Sequence, residues 1–600
     1  MNYKTIPEAF IKVCEKYGDR KPAYMFKKDG KYVALTYSSL RESVESFASG
    51  LLRMGIGKGD RVGIISENRI EWIVADFAIT AIGAVGVPIF PTHTAKQEEY
   101  IFNNCEAKAI VVSNSYQLKK LAEVRDNIPS LKSIIVMNKD FVTDDKSVVS
   151  MSDTINDGNA YLAPGERREK ITELALSVRP DDLLTLIYTS GTTGNPKGVM
   201  LTNENICANI SQITDTGLIL EQDLLLSFLP LCHAYERTTG YYSAFAIGSV
   251  VALAESIESV GANIVEVKPT LMTTVPRLLE IIKRKILTNI EKESKAKRKI
   301  FYWAMDIARK YLDATEKNIV TIPLKAKYQI ADKLVYSKIK EKTGGRLKKF
   351  VSGGAALPED VGKFFHGIGL LVLEGYGLTE ASPVVSVNRI ESHEIGTIGP
   401  PLPNVEVKIA HDGEILVRGK NVMKGYWNDP KATAECIDTD GWLYSGDIGR
   451  FTEKGNIKIT DRKKNIIVSS GGKNIAPQPI ENVLSQSAYI EHVLLVGDRR
   501  EYITALITPD YEQLKILAAN LGITYENESE LITNDKIVGA IKGDIDKLQK
   551  DHAKYERVRK FKLLSQPFSV ENGELTPKLS VRRHVVENKY SDFIEEMYSN

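Results

Sequence analysis

The chain has 600 residues, of which 43% are hydrophobic and 26% charged, and its formal net charge is +2. One hydrophobic core does not serve this length, so we expect about two to four domains, and the composition excludes a disordered or fibrous chain. The five cysteines form no CxxC pair, which argues against a disulfide framework or a zinc cluster. The start, MNYKTIPEAF, has no signal-peptide pattern, and a cytoplasmic protein is expected.

The first half of the chain alternates helical and strand-like patterns. Residues 36–55 (TYSSLRESVESFASGLLRMG) have apolar positions at helical spacing between a Ser-rich start and a glycine. DRVGIISEN predicts a strand and IEWIVADFAITAIGA a helix, while VGVPIF, KAIVVSN and SIIVMNK predict the short strands that parallel sheets bury. This βαβ rhythm predicts an α/β fold with a mostly parallel sheet and ligands in the loops at the strand ends.

The middle of the chain is charged and helical, from Arg277 to about Lys342, with TIPLKAK as its one break. Residues 281–350 hold 20 Lys/Arg against 7 Asp/Glu, a local excess of +13. A solvated helical face is the ordinary explanation of such a run. The alternative is a surface that meets anionic lipid headgroups or steers an anionic substrate. We expect no nucleic-acid binding, because no aromatic-interleaved motif accompanies the basic residues.

A domain boundary is expected near the polar, glycine-rich run DRKKNIIVSSGGKNI. Before it, from Val405, come the short β-like pieces VEVKIA, EILVRG and NIKITD, and after it charged helical and strand segments continue to the end. We predict a large domain over residues 1–461 with a β-rich subdomain and the basic insertion at about 281–350. A hinge over 462–466 then leads to a small α+β domain over 467–600.

Six polar or glycine-rich segments occur in order along the chain: YTSGTTGNPKGVML (188–201), LPLCHAYER (229–237), SGGAAL (352–357), GYGLTE (375–380), GWLYSGDIG (441–449) and DRKKNI (461–466). The first is not a Walker loop, because Lys197 is followed by glycine and not by Ser or Thr. As a set, spanning about residues 36–586, the segments resemble the adenylate-forming enzymes: acyl-CoA synthetases, peptide-synthetase adenylation domains and beetle luciferase.

The resemblance implies the adenylate-forming fold, with a mobile small domain, and a two-step reaction. A carboxylate attacks the α-phosphate of Mg·ATP to give an acyl-adenylate and pyrophosphate, and the thiol of coenzyme A then displaces AMP. The implied cofactors are therefore ATP, Mg²⁺ and coenzyme A. The form PLCHAYERTTGYYSA and the basic insertion resemble long-chain fatty acyl-CoA synthetases in particular, so a fatty acid of roughly C12 to C18 is the expected substrate.

The resemblance also assigns roles to single residues. The phosphate loop would bind the β- and γ-phosphates through hydroxyls, close backbone approach and one lysine charge; its residues are Thr189, Ser190, Gly191, Thr192, Thr193, Gly194 and Lys197. The adenine would lie against the backbone of Gly353, Gly354 and Ala355 and against Tyr376, which is flanked by Gly375 and Gly377. Thr379 would bind the α-phosphate, Glu380 would hold Mg²⁺, and Asp447 and Arg462 would bind the ribose hydroxyls.

Three further roles follow from the same resemblance. His233 lies where the family has a residue beside the acyl carboxylate, and a gating or positioning role is favoured over acid–base work. Lys464 falls at the hinge position. Gly471 and Gly472 would line the entry of the coenzyme A thiol.

The carboxyl-terminal segment ELTPKLSVRRHVV departs from the family pattern. Long-chain members carry a catalytic lysine in a pattern such as LTPTLKVKR, and in an ungapped alignment Ser580 takes that position. One interpretation is that Lys578 does the work, since residues two apart in an extended segment face the same side. The other is an impaired first half-reaction, which would leave a degenerate binder of acyl groups or nucleotides.

Several functional alternatives remain open on the sequence alone. The acceptor is coenzyme A or an acyl carrier protein, the acid is a fatty acid or another carboxylic acid such as an aryl or short-chain one, and no residue demands luciferase-type oxidation. Peripheral attachment to the inner face of the membrane, through the basic insertion, is the alternative to a purely cytoplasmic location.

Overall fold

The computed structural model describes residues 3–189, 195–470, 473–569, 571–576 and 581–599. Its first large sheet, here called sheet A, has eight strands. Their spatial order is β15 (Val384–Val387), β14 (Leu371–Gly377), β13 (Lys349–Ser352), β12 (Leu271–Thr274), β10 (Leu224–Ser227), β11 (Val250–Leu253), β1 (Pro22–Lys28) and β2 (Lys31–Thr36). All neighbours in it are parallel except the two edge pairs, β14–β15 and β1–β2.

Sheet B, the second large sheet, also has eight strands. Their spatial order is β18 (Gly425–Tyr426), β9 (Lys197–Thr202), β8 (Leu183–Thr189), β4 (Val85–Ile89), β3 (Arg61–Ile65), β5 (Ala109–Val112), β6 (Ser133–Val136) and β7 (Val148–Ser150). The strands from β8 to β7 are parallel, whereas β9 and β18 are antiparallel to their neighbours. Every residue of β4 and β5 is buried, as expected for strands covered on both faces.

The remaining strands form smaller sheets. One sheet, here called sheet C, contains β16 (Glu406–Ile409), β17 (Glu414–Arg418), β19 (Leu443–Phe451) and β20 (Ile457–Arg462), all antiparallel. Past it lie the pair β21 (Ile467–Val468) and β22 (Asn474–Ile475), and a sheet of β23 (Ile490–Val496), β24 (Ile503–Pro509) and β25 (Val558–Leu563). The carboxyl-terminal elements have apolar cores of their own, built around residues such as Leu484, Ala505 and Ile541.

Helices cover the sheets. In chain order they are α1 (Ile6–Tyr17), α2 (Tyr37–Arg53), α3 (Ile70–Ala81), α4 (Ala95–Asn104), α5 (Ser115–Ala122), α6 (Met151–Tyr161), α7 (Pro164–Ser177), α8 (Asn203–Thr214), α9 (Ala244–Ile247), α10 (Val260–Val267), α11 (Pro276–Glu291), α12 (Lys295–Glu316), α13 (Ile322–Ala331), α14 (Ser337–Glu341), α15 (Glu359–Gly367), α16 (Pro430–Cys436), α17 (Pro477–Leu484), α18 (Tyr511–Leu521), α19 (Glu528–Leu531), α20 (Asp535–Leu548), α21 (Arg583–Lys589) and α22 (Ser591–Tyr598). In the part of the chain that is described, no helix is long and apolar enough to cross a membrane.

The βαβ rhythm of the sequence is confirmed. The segments DRVGIISEN, VGVPIF, KAIVVSN and SIIVMNK form β3, β4, β5 and β6, and the 36–55 segment forms α2. The side chain of Thr36 caps α2 by accepting from the backbone N–H of Ser39, which satisfies one of the free donors of the first turn. All five cysteines are free thiols in this structure.

The prediction of one break in the helical insertion was wrong in detail. The chain leaves the helix twice, at 292–294 and at 317–321, and most of TIPLKAK belongs to α13. Pro323 lies in the first turn of α13, where a proline costs little because the missing N–H would have had no helical partner. The proline therefore marks the start of the third helix.

Candidate active site

Three of the predicted motifs lie at the carboxyl ends of parallel strands of sheet A. Motif SGGAAL begins at the end of β13, GYGLTE at the end of β14, and the LPLCHAYER segment follows β10. A cleft of about 660 Å³, part of it open to solvent, lies between them. Its lining comprises Ile213, Leu218, Ile219, His233, Tyr235, Thr239, Val351, Gly353, Gly354, Gly375, Tyr376, Gly377, Leu378, Thr379, Pro383, Val384 and Val387. Open α/β sheets bind ligands at this edge.

Two glycines of the cleft wall are required by the backbone. Gly354 has φ +84°, a conformation that other L-residues rarely adopt. A Cβ on Gly377 would lie 2.0 Å from the carbonyl oxygen of Pro383.

The buried Glu374 connects the SGGAAL and GYGLTE motifs. Its Oε2 accepts from the backbone N–H of Leu357 at 3.4 Å. Burial raises the pKa of its carboxyl to about 8.

Asp447 is held from two sides at the rim of the cleft. The hydroxyl of Tyr376 donates to Oδ2 at 2.6 Å, and Nε of Arg462 lies 3.0 Å from Oδ1. The pair Asp447 and Arg462 face each other in the register of β19 and β20. Because each carboxylate oxygen has more than one lone pair, Asp447 retains acceptor capacity for a ligand hydroxyl. Asp447 is buried, whereas the side chain of Arg462 is 67% exposed.

A second polar group surrounds Glu380. The hydroxyl of Tyr426 donates to Oε1 of Glu380 at 2.8 Å, and Nζ of Lys197 lies 5.1 Å from the centre of the Tyr426 ring. The cluster forms because β18, which carries Tyr426, pairs with β9, which starts at Lys197. Sequence reasoning missed Tyr426, since this pairing joins strands more than two hundred residues apart and leaves no local signal.

The chemistry of this cluster fits Mg²⁺ that is bound mainly through substrate. No group of three or more His, Cys, Asp or Glu side chains within the described residues could hold a metal by itself. Mg²⁺ usually takes one or two carboxylates and completes its shell with phosphate oxygens and water. The half-buried carboxylate of Glu380, fixed by Tyr426, is a suitable single protein ligand of that kind.

His233 lies in the wall of the cleft. The backbone N–H of Tyr235 donates to its Nδ1 at 3.1 Å, so a neutral His233 carries its proton on Nε2. The same cleft is lined by polar side chains such as Tyr376 and Thr379 and by the apolar side chains of Ile213, Leu218 and Ile219. His233 therefore belongs to a cleft whose lining combines polar and apolar groups.

Glu236 and Arg237, which follow Tyr235 in the chain, have a structural role. Glu236 is fully buried and hydrogen-bonded to the hydroxyls of Ser227 (2.6 Å) and Thr273 (2.7 Å), and burial raises the pKa of its carboxyl to about 7. Arg237 is ion-paired with the buried Asp76. The pair ER, which marks the long-chain form of the motif, therefore anchors this segment in the core.

Sequence reasoning also missed Phe90 and His93. They follow β4, and the ring of Phe90 contacts both His93 (5.8 Å between centroids) and His233 (6.3 Å). Burial and the nearby charges of Lys120 and Arg582 lower the pKa of His93 to about 4. The rule that ligands collect at the carboxyl ends of parallel strands could have found both residues, because VGVPIF was predicted as a strand.

Several predicted site residues lie outside the described residues. They are Ser190, Gly191, Thr192, Thr193, Gly194, Gly471, Gly472, Lys578 and the alternative Ser580. The flanks of the phosphate loop are described: Thr189 ends β8, Lys197 starts β9, and the two are register partners. Ala355 is exposed and continues the SGGAAL loop, and Lys464 lies in a short 3₁₀ helix between β20 and β21.

The described part of the carboxyl-terminal segment has backbone contacts of its own. Leu575 and Val581 form an isolated antiparallel bridge, and the backbone N–H of Arg582 donates to the carbonyl of Glu574 at 2.7 Å. The charge of Arg582 contributes to the lowered pKa of His93. Phe90 in turn links His93 to His233.

Comparison with known proteins identifies two family regions. Residues 10–427 match the AMP-binding enzyme family, and residues 464–600 match the AMP-binding enzyme C-terminal domain. Among curated proteins, the chain is similar to the long-chain-fatty-acid–CoA ligase FadD15 of Mycobacterium tuberculosis, at 34% identity over 95% of this chain and 93% of that protein. It is also similar to the peroxisomal long chain acyl-CoA synthetase 7 of Arabidopsis thaliana, at 31% identity over 99% and 86%.

Solved structures share the fold. The adenylation domain of the carboxylate reductase of Mycobacterium chelonae superposes with a TM-score of 0.78 at 21% identity, covering 99% of this chain and 91% of that chain. A fatty acyl CoA synthetase of Mycobacterium tuberculosis superposes with a TM-score of 0.62 at 21% identity, covering 98% and 99%. The predicted α/β architecture with a carboxyl-terminal domain is thereby confirmed.

Proposed function

The chain belongs to the AMP-binding enzyme family, and we propose that it is an ATP-dependent ligase that joins a long-chain fatty acid to coenzyme A. The observation that carries this proposal is the cleft itself. Its wall combines the polar side chains of Tyr376, Thr379 and His233 with apolar ones such as Ile213 and Leu218, and Asp447 is hydrogen-bonded to Tyr376. Relatives of at least 30% identity that span nearly the whole chain are named as long-chain ligases or acyl-CoA synthetases, which favours this function over an aryl or short-chain acid ligase.

In the first step a carboxylate oxygen of the fatty acid attacks the α-phosphorus of ATP. A new P–O bond forms, the bond to the β-phosphate oxygen breaks, and pyrophosphate leaves, so the product is an acyl-adenylate. Thr379 is proposed to donate to an α-phosphate oxygen, and the Nε2–H of His233 to donate to the acyl carboxylate. Such donors stabilise charge that develops in the transition state, and each is worth on the order of 10- to 100-fold in rate.

The nucleotide is proposed to bind along the part of the cleft wall that the SGGAAL and GYGLTE motifs form. Its adenine would lie between the backbone of residues 353–355 and the ring of Tyr376, and its ribose hydroxyls would reach Asp447 and Arg462. The hydroxyls and glycines of residues 189–194 and the charge of Lys197 would enclose the β- and γ-phosphates. Mg²⁺, when bound at Glu380, supplies positive charge to the phosphate oxygens.

Lys578 is proposed as the lysine that contacts the carboxylate and the α-phosphate. The match of residues 464–600 to the AMP-binding enzyme C-terminal domain supports a carboxyl-terminal residue in this role. Ser580 occupies the family position of this lysine in an ungapped alignment, and it cannot supply a positive charge. A lysine two positions earlier, with its long flexible stem, is the nearest basic residue before the position of Ser580.

The second step transfers the acyl group to a thiol. The thiol sulfur of coenzyme A attacks the acyl carbon and gives up its proton to solvent, the bond to the phosphate oxygen breaks, and AMP leaves with the electron pair. The small domain is proposed to turn about Lys464 between the steps, which withdraws Lys578 and lets the thiol enter past Gly471 and Gly472. An acyl carrier protein is the alternative acceptor, and the names of the relatives favour coenzyme A.

The test is coenzyme A-dependent release of AMP with a panel of acids from about C2 to C18, with Lys578→Ala and Ser580→Ala assayed beside the wild type. We expect activity to peak at long chains, to fall at least 100-fold in Lys578→Ala and to stay within about threefold in Ser580→Ala, because only the first variant removes charge from the transition state.

Other outcomes separate the alternatives. A peak at short or aromatic acids would reject the substrate class, and release of AMP only with a phosphopantetheine carrier would replace coenzyme A as acceptor. Nucleotide binding without AMP from any acid would identify a binder that no longer catalyses. Full activity of Lys578→Ala would reject the lysine assignment alone.

A further inference from the structure

The helical insertion, residues 276–341 (α11 to α14), exposes an unusual number of large apolar side chains. The described part of the chain has 24 such exposed residues, and eight of them fall between positions 300 and 334: Ile300, Tyr302, Trp303, Ile319, Val320, Ile322, Ile330 and Leu334. Single exposed apolar residues are normal on protein surfaces, whereas a concentration of them marks an interaction site.

Three of these residues and one alanine form a stripe along one helix. Ile322, Ala326, Ile330 and Leu334 follow each other at intervals of four and are all exposed, with Ile322 at 85% and Ile330 at 53%. Helix α13 continues through a π-helical turn (Asp332–Tyr336) into α14, so the four side chains share one continuous helical segment. We call these four residues the outer stripe.

The outer stripe is not needed to hold the insertion together. The opposite face of α13 does that work: the ring of Tyr328 stacks on Tyr311 of α12 at 4.1 Å, and Ala331 is buried. Just beyond it, the hydroxyl of Tyr336 donates to the carbonyl of Ala304 at 2.5 Å. A helix that packs through one face and is apolar on the other has a second surface to cover.

Lysines surround the outer stripe. Lys317, Lys325, Lys327, Lys333 and Lys338 are exposed and form no ion pair with any carboxylate of the described residues. Some basic residues of the insertion are paired, as Lys340 is with Asp332 and Arg284 with Asp510. Four further exposed lysines of the insertion also form no ion pair with a described carboxylate: Lys285, Lys292, Lys295 and Lys299. The five lysines named first differ from these four in lying on or next to the segment that carries the outer stripe.

We propose that the outer stripe and these five lysines, here called the docking surface, seat α13 on an anionic lipid bilayer. Apolar side chains would enter the interfacial region while the lysines contact lipid phosphates, as in helices that lie in the plane of a membrane. A second copy of this chain fits less well, because a symmetric contact would bring the lysines of both copies together. The inference extends the proposed function, since a bilayer is where long-chain fatty acids partition.

The test is flotation of the full-length protein with vesicles of phosphatidylglycerol and phosphatidylcholine, and with vesicles of phosphatidylcholine alone. Two variants probe the surface: Ile322→Ser with Ile330→Ser, and Lys325→Glu with Lys327→Glu. Matched controls carry the same changes elsewhere, Val142→Ser with Ile257→Ser, and Lys96→Glu with Lys119→Glu, all at exposed positions. Thermal unfolding and AMP release from an acid presented in detergent micelles verify that each variant is folded and active.

We expect the wild type and both controls to bind the anionic vesicles at low salt, and each docking-surface variant to bind at least tenfold more weakly with unchanged micellar activity. Three results would overturn the inference: no binding by the wild type, equal binding by the variants and the wild type, or a dimer in solution that the Ile322→Ser, Ile330→Ser change dissociates. The vesicle result does not depend on catalysis, so it is independent of whether the ligase assay succeeds.

Discussion

Two buried ionisable residues close to His233 in the sequence have a structural role. Glu236 and Arg237 come three and four residues after His233, yet they anchor the segment through Ser227, Thr273 and Asp76. A buried carboxyl prefers to be neutral unless a cation pairs with it. Burial accordingly raises the pKa of Glu236 to about 7, against an ordinary value of 4.5.

Substitution Glu236→Gln should change how stability depends on pH. As pH rises from about 4.5 to 7 the unfolded wild type loses a proton that the folded state keeps, so the wild type loses stability over that range, by about 3 kcal/mol for a shift of this size. The variant lacks this titration. It should unfold like the wild type near pH 4.5 and be more stable at pH 7 and above.

Thermal or denaturant unfolding between pH 4.5 and 8 measures the difference, with the exposed Glu453→Gln as a control that should follow the wild type. Parallel pH profiles for Glu236→Gln and the wild type would show that Glu236 is already ionised in the folded protein.

Polar contacts of residues 461–463 connect the chain just before Lys464 to sheet C and to α17. The ammonium of Lys463 lies 2.6 Å from Asp412 and 2.8 Å from Glu414, which ties the chain to sheet C up to that residue. Just before this anchor, the carboxylate of Asp461 in β20 accepts from the backbone N–H of Gln478 in α17 at 3.1 Å. Lys464 is the first residue past the Lys463 anchor, where a change in φ and ψ would reorient everything that follows.

The variant Lys464→Pro should separate the half-reactions. Proline fixes φ near −65°, so we expect acyl-adenylate formation to stay within about threefold and thioester formation to fall on the order of 100-fold. Pyrophosphate exchange measures the first and acyl-CoA formation the second, with Lys464→Ala as the control that removes the charge but keeps backbone freedom. Equal loss of both activities in Lys464→Pro would reject rotation about this residue.

The elements that the sequence predicted well are those with local signals. Strands β3 to β6 are short, β-branched and bounded by polar residues, and glycine-rich motifs at strand ends locate the wall around Gly354 and Gly377. Phe90 and His93 follow the predicted strand β4 and could have been found from its carboxyl end, whereas Tyr426 reaches Glu380 through strand pairing that connects distant segments. A single sequence carries the local propensity of a residue and leaves open which distant residue it will meet.

In the whole molecule, the carboxyl-terminal elements contact helix α11 through two ion pairs. Arg277 and Arg284 of α11 pair with Glu491 (2.9 Å) and Asp510 (2.7 Å). Both contacts use charges from the basic insertion and its start. They explain part of the basic excess, and the docking surface contains five of the lysines that no described carboxylate pairs with.

Rapid quench of the enzyme with ATP, Mg²⁺ and a long-chain fatty acid, first without coenzyme A and then after its addition, tests the two-step reaction most directly. We expect acyl-adenylate to accumulate to about one equivalent per active site and then to convert to acyl-CoA and AMP. Acyl-CoA formation with no acyl-adenylate at any time, or acyl-adenylate that coenzyme A leaves untouched, would contradict a ligase that works in two steps at one cleft.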